Sequence, residues 1–341
     1  MAIVGGLDVH RGQITYDHVD TVTGEVEVGR IAPANRAEFR NWLGRFDGRG
    51  DVSFATEGCT GWRFVVEELE AAGVVAHLAE PADTSTLRGR KKRAKTDRAD
   101  ARHIRSLLVE GRLPESWIPP AQVLETRIVS RSYVALMDQR RAWQQRIQAQ
   151  LFHQGVDKQR GLLTEAGRTH LTDADLSPAG REMVEMALRI IDTLGGEADL
   201  LRRQLQSFAR RQPGCRALVN ELYGVGGLTA AVIWAEMGDT RRFNSSDQAV
   251  RHTGLDITVY ESDGKRSPGR LARQGPPALR WALFEAALTA CRESSPDHSY
   301  FLEVAERVGR KRAYLSVARK LARRVHHILR DLGDQAWQEV T

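Results

Sequence analysis

The sequence predicts an α/β domain followed by a mostly helical chain. Three observations carry this reading. Residues 2–31 hold short apolar or alternating runs separated by turn residues, as strands do. From there to about residue 110, strand-like and helix-like runs alternate. Beyond the proline-rich PESWIPP at 114–120, apolar residues recur at helical spacing through most of the remaining chain.

The elements follow in order. AIVGGLDV (2–9) reads as a strand with an acid near its end. GQITYDHVD and GEVEVGRI alternate and complete an antiparallel meander. NRAEFRNWLGRF reads as an amphipathic helix with Asn35 as N-cap. DVSFATE is a buried strand ending in Glu57, GWRFVVEELEAAG a helix ending at Gly73, and VVAHLAE a further strand. A polar, basic loop is expected over 81–96, then a helix from Asp97 to Glu110. Three strands, helix, strand, helix, strand, helix is the order of a ribonuclease-H-like fold. After the proline-rich linker, long helical patterns over 121–155 and 179–212 resemble an antiparallel hairpin or coiled coil, which Gly195-Gly196 weakens locally. QPGC (212–215) closes that section, and a mainly helical part with a Gly-rich, possibly β-containing insert at 254–276 ends the chain. The expected division is 1–113, 114–213 and 214–341.

The 341 residues include 50 Lys plus Arg and 44 Asp plus Glu, a formal charge of +6. Basic residues cluster at 88–105, 202–216, 265–280 and 306–324, with Arg ahead of Lys, as phosphate recognition favours. Cys59, Cys215 and Cys291 form no CxxC pair, which argues against a disulfide framework and a structural zinc site. No secretory leader or apolar membrane-spanning run is visible, so a cytoplasmic protein without a membrane partner is expected.

The stretch KRAKTDRADARHIRSLL (92–108) sets Asp97 and Asp100 one helical turn apart among basic side chains. Asp8 sits in an apolar strand, where a carboxylate must find a partner. Glu57 ends another strand. Four acids gathered at one sheet edge would suit magnesium, while each acid alone reads more readily as a cap, a turn residue or a surface ion-pair partner. In LYGVGGLTAAVIWAEM, Gly224, Gly226 and Gly227 precede a helix; this is either a helix-hairpin-helix phosphate clamp or a tight interhelical turn. YESDGKRSPGRLARQGPPALRWAL (260–283) is dense in basic residues around Ser262 and Ser267, and a loop serine is ordinarily just solvated. His10, His103 and His252 read as packing or phosphate-contacting residues, and Trp62 as core.

In this order GLDVH, ATEGCTGW, KRAKTDRADARHI, YGVGGLTAAVIWAEMGDTRRFNSSDQAVRHTGL and SDGKRSPGRLARQGPPALRWAL resemble the insertion-sequence 110 family of transposases. The resemblance spans nearly the whole chain. It implies an N-terminal RuvC-like, RNase H-like DEDD domain, a coiled-coil segment and a C-terminal transposase domain with a helix-hairpin-helix-like turn. It implies Asp8, Glu57, Asp97 and Asp100 as catalytic, magnesium-binding carboxylates, manganese being a possible substitute, and Ser262 as nucleophile. Ala272 stands where members often carry a second serine, and Asp263 where a glycine commonly follows the first; Ser267 is the weaker competitor. Nucleic-acid contacts are expected from Lys92, Arg93, Lys95, Arg98, Gly224, Gly226, Lys265, Arg266, Arg270 and Arg273. The resemblance further implies donor and target DNA, a non-coding bridge RNA, a transient phosphoserine link, and dimers that pair into a tetramer on DNA, with the two domains of different protomers forming one site. A bacterial, nucleoid-associated location goes with it. Two rival readings remain: a metal-dependent structure-specific nuclease without a covalent intermediate, and an inactive nucleic-acid-binding derivative.

Overall fold

The structure, a computed structural model, describes residues 2–88, 96–258, 260–262, 265–267 and 269–340, with 260–262 and 265–267 described by their backbone. The chain divides into two compact units, 1–118 and 119–341.

In the first unit β1 (Ile3–Val9), β2 (Ile14–Asp20), β3 (Val26–Ile31), β4 (Val52–Glu57) and β5 (Val75–Ala79) form one sheet in the order β3-β2-β1-β4-β5. The first three strands meander antiparallel, while β4 runs parallel to β1 and β5 to β4. α1 (Arg36–Leu43) precedes β4, and Asn35 Oδ1 caps it by accepting from the Glu38 N–H at 2.9 Å. α2 (Trp62–Ala71) joins β4 to β5, the crossover that a parallel pair requires. α3 (Pro81–Thr86) and α4 (Asp97–Val109) follow.

β1 is central and almost wholly buried, because both faces of the sheet are covered. On one face Leu7, Ile14, Phe39, Trp42, Phe54, Val65 and Leu69 share a core. The Trp42 ring lies 5.3 Å from that of Phe46 and 5.2 Å from that of Phe54. On the other face α4 lies directly on β1. Gly6 makes this possible: a Cβ there would stand 2.1 Å from the Ala101 carbonyl oxygen. Asp17, paired across β2 with Gly6, is fully buried and holds Arg105 at 3.1 Å and Arg102 at 3.3 Å. Two turns of α4 are thereby tied to the sheet.

The second unit contains α5 (Ala121–His153), α6 (Glu165–Asp173), α7 (Pro178–Arg211), α8 (Pro213–Glu221), α9 (Gly227–Met237), α10 (Ser246–Thr253), α11 (Pro277–Ala290), α12 (His298–Val308) and α13 (Arg310–Leu332). It also contains a hairpin of β6 (Tyr260–Ser262) and β7 (Lys265–Ser267). Ile147 and Leu151, late in α5, pack with Val184, Ala187 and Ile191, early in α7, so the two long helices run antiparallel. α9 is buried from Ala230 to Met237 among α5, α7, α8 and α11. Its C-terminal carbonyls accept from Arg127 (to Ala235, 2.8 Å) and Arg242 (to Met237, 2.9 Å), and Arg131 grips the buried Glu236 at 2.7 and 2.9 Å. Cations there complement the helix dipole.

Several local expectations are corrected. Part of the expected loop at 81–96 is helix α3, started by Pro81 and capped by Glu80, whose carboxylate accepts from the Asp83 N–H at 2.7 Å. QPGC stands where α7 ends, with Gln212 as its C-cap, and its Pro213 also opens α8. α7 runs unbroken through Gly195-Gly196, because packing against α5 rather than intrinsic propensity holds it. α6 carried no signal strong enough to be read.

Candidate metal centre

Strand ends and a helix start build the site. Asp8 is the penultimate residue of β1 and shares the α4 face with Gly6, two residues earlier. β4 is parallel to β1 with Leu7 beside Thr56, so the next residues along, Asp8 and Glu57, come side by side at the same end of the sheet. α4 begins there too, with Asp97 as its first residue and Thr96 as its cap. Ala101 lies over Gly6, so one turn back along α4 brings Asp97 and Asp100 over Asp8. The positive end of the helix dipole favours both carboxylates.

All four acids line one open cleft of about 850 Å³, together with His10, Arg11, Cys59, Thr60, Phe64 and Thr96. Their charges are mutually felt. Burial pushes the Asp8 carboxyl above its ordinary range, Asp100 and Asp97 add to this, and His10 opposes it. Burial likewise raises Glu57, with Asp100 and Asp8 adding and Arg88 opposing. Crowded carboxylates of this kind are relieved by a cation.

Three side chains contact these acids. His10 Nε2 lies 3.1 Å from Asp8 Oδ2 and 3.6 Å from Asp97 Oδ1. Donor atoms of Asp8, His10 and Asp97 all fall within 4.8 Å of one another. Gln13 donates to Asp97 Oδ2 at 3.0 Å. Arg88 pairs with Asp100 and stands 4.0 Å from Glu57. The sequence alone reads His10 as a packing or phosphate-contacting residue and does not single out Gln13 or Arg88. The one available signal was that His10 lies two residues beyond Asp8, at the period that returns to the same strand face. The donor set, carboxylate oxygens with one imidazole, fits a magnesium- or manganese-type ion.

The other expected site residues fall as follows. Arg98 is exposed on α4 and makes no ion pair among the described residues, while Lys92, Arg93 and Lys95 lie outside them. Gly224 has a packing role: its φ is +91°, and a Cβ there would stand 2.5 Å from the Ala286 carbonyl oxygen. Gly226 caps α9 and has open space around its Cα. Ser262 ends β6 and pairs across the hairpin with Lys265, as Glu261 does with Arg266; Asp263 and Gly264 lie outside the described residues. The base of this ribbon is tied by Thr258 N–H to Arg270 O (2.8 Å) and Ala272 N–H to Asp256 O (3.0 Å). Arg270 and Arg273 are exposed beside it. His103 is a packing residue, its Nε2 donating to the Thr84 carbonyl at 3.1 Å and so tying α4 to α3.

Comparison with known proteins places both units. Residues 216–302 match a family model described as the transposase IS116/IS110/IS902 family. Residues 5–153 match a second model, described as a transposase, of the DEDD type of IS110. A protein of Sinorhizobium fredii that carries the transposase name y4rJ is 30% identical over 245 residues, which is 64% of this chain and 60% of the relative. A protein of Pseudomonas aeruginosa named as a family 20 transposase is 26% identical over 102 residues, 30% of each chain. The matches thus span less than two thirds of either relative. Among the described residues no helix is long and apolar enough to cross a membrane.

Proposed function

We propose that this chain, both of whose units match IS110-type transposase models, is a transposase of that family that cuts and rejoins DNA strands. One observation carries the reading: Asp8, Glu57, Asp97 and Asp100, far apart in sequence, line a single cleft at the strand ends. The strand order and the acids on it support an RNase H-like, RuvC-like assignment for the first unit. The proposed functional parts are a DEDD domain (1–113), linker and coiled-coil helices (114–213) and a transposase domain (214–341).

Asp8, Glu57, Asp97 and Asp100 would hold the divalent ion. When bound, such an ion polarises phosphoryl oxygens and favours the deprotonated form of an attacking oxygen. Ser262 supplies the attacking hydroxyl. Its Oγ forms a bond to phosphorus as the bond from phosphorus to the departing deoxyribose oxygen breaks. The serine proton is lost to a base, and the departing oxygen gains one. The phosphoserine retains the energy of the phosphodiester, so the reverse attack by a DNA hydroxyl rejoins strands without a nucleotide cofactor. Lys92, Arg93, Lys95, Arg98, Lys265, Arg266, Arg270 and Arg273 are basic residues that would supply phosphate contacts holding the backbone in register. A bridge RNA pairing with donor and target DNA, and assembly as dimers and a DNA-bound tetramer, complete the proposal.

The test incubates the protein with magnesium, its element's RNA and end-labelled element DNA, and looks for a denaturation-resistant protein–DNA adduct. An adduct lost in both Ser262→Ala and Asp97→Ala supports the recombinase. Cleavage that survives Ser262→Ala but not Asp97→Ala leaves a carboxylate nuclease. Binding without cleavage in the unaltered protein leaves an inactive derivative.

A further inference from the structure

We propose that His10 is a fifth ligand of the metal centre: its imidazole joins Asp8 and Asp97 on the ion and turns the preference of the site from Mg2+ toward Mn2+. The inference rests on the metal reading above and leaves all four carboxylates in it.

His10 stands one residue past the end of β1 and lines the cleft together with the four acids. Its Nε2 lies 3.1 Å from Asp8 Oδ2 and 3.6 Å from Asp97 Oδ1. One nitrogen is thus aimed between carboxylates carried by two different elements, a strand and a helix. Hydrogen bonding accounts for the first contact only, since 3.6 Å is too long for the second. A cation shared by the three groups would use both. Ligand atoms about 2.1 Å from an octahedral ion stand about 3 Å apart when adjacent and about 4.2 Å apart when opposite. The ligand atoms of Asp8, His10 and Asp97 all lie within 4.8 Å of one another, so small movements bring them onto one ion.

The loop between β1 and β2 holds this arrangement. The His10 N–H donates to the Gln13 carbonyl at 2.9 Å, which fixes the backbone carrying the imidazole. The Gln13 side-chain amide donates to Asp97 Oδ2 at 3.0 Å. One oxygen of Asp97 is thereby occupied, and Oδ1 is left turned to His10. An outer contact of this kind orients a ligating carboxylate. Residues 10–13 therefore supply one ligand and the group that aims another. Imidazole is also the donor that changes selectivity. A nitrogen donor adds little to the hold on hard Mg2+ and more to the hold on a transition-metal ion such as Mn2+.

Two measurements on the full chain test this: the dissociation constants for Mn2+ and Mg2+ by isothermal titration, and the electron spin-echo modulation of bound Mn2+, which reads a nitrogen nucleus bonded to the metal. The unaltered protein is expected to show nitrogen coupling and to prefer Mn2+. His10→Ala is expected to lose the coupling and to bind Mn2+ at least about tenfold more weakly, since even outer contacts of metal ligands are worth that much, with a smaller loss for Mg2+. His10→Asp, which returns an oxygen donor, is expected to recover affinity without the coupling and with the preference shifted to Mg2+. The His10 side chain is 55% exposed, so neither change disturbs the core. Bound Mn2+ without nitrogen coupling in the unaltered protein, or coupling that persists in His10→Ala, overturns the ligand role; an imidazole that only pairs with the acids gives the first of these results. If Asp97→Asn abolishes binding in that case, the metal centre itself stands. No Mn2+ binding by the unaltered protein, or Asp97→Asn binding like it, overturns the metal reading and this inference with it.

Discussion

Replacing Gly6 with alanine tests whether close contact between α4 and β1 positions the cleft. The new Cβ would stand 2.1 Å from the Ala101 carbonyl oxygen and 2.6 Å from the Arg105 nitrogen, both backbone atoms of α4. No side-chain rotation relieves a clash with backbone, so the helix must lift by about 1 Å in a close-packed interior. Overpacking of this kind costs about 1–3 kcal/mol. The lift also carries Asp97 and Asp100 away from Asp8 and Glu57, and a displacement of about 1 Å in a reacting constellation costs about 10²-fold in rate. Gly12→Ala is the matched control, since nothing lies within 4 Å of its would-be Cβ. The assays are a urea denaturation curve, Mn2+ titration and DNA strand cleavage. Gly6→Ala should lower the urea midpoint, weaken Mn2+ binding and slow cleavage, while Gly12→Ala changes none of these. A Gly6→Ala protein with unchanged midpoint and unchanged Mn2+ affinity would refute the reasoning.

Further outcomes follow from other contacts. Asp17→Asn leaves the Arg102 and Arg105 guanidinium groups beside a neutral amide. It should destabilise the chain by about 2–3 kcal/mol in denaturant titration, less than a fully buried pair would cost because Arg102 stays largely solvated. Burial, with Arg242 nearby, pushes the His252 imidazole down to about 4. Below its ordinary value the unfolded chain takes the proton and the native chain does not, so stability falls as pH drops from the ordinary histidine range toward 4. His252→Gln should remove about 2 kcal/mol of the stability difference between roughly pH 7 and pH 5; an unchanged difference would assign it to other groups. Gly224→Ala should cost several kcal/mol through its left-handed backbone and its contact with α11, measured by thermal unfolding. Gly226→Ala should cost about 1 kcal/mol or less while weakening nucleic-acid binding; full binding by Gly226→Ala would remove the phosphate role of that turn.

The sheet was legible because its central strand is apolar but for Asp8 and its neighbours alternate, so strand pattern and turn residues agreed. The four acids were legible for a local reason as well. Asp8 breaks an apolar strand, Glu57 ends one, and Asp97 and Asp100 share the first turn of α4. What brings them together was not local. A glycine in a strand offers no side chain to pack, and the purpose of Gly6 appears only once Ala101 is seen above it. Arg88 and Gln13 act on acids 12 and 84 residues away, contacts that no periodicity encodes. PADTST (81–86) contains few strong helix formers and was read as loop, yet Pro81 and the Glu80 cap suffice for a short helix. For Ser262 the register within the hairpin is known from the backbone, Ser262 opposite Lys265.

The most direct test of a divalent-ion centre at Asp8, Glu57, Asp97 and Asp100 is anomalous X-ray scattering from crystals of the full chain grown with Mn2+. A metal centre requires a peak at coordination distance, about 2–2.3 Å, from carboxylate oxygens of Asp8 and Asp97, and its loss in Asp97→Asn crystals. Anomalous peaks elsewhere, with the four carboxylates meeting only His10, Gln13, Arg88 and water, would contradict it.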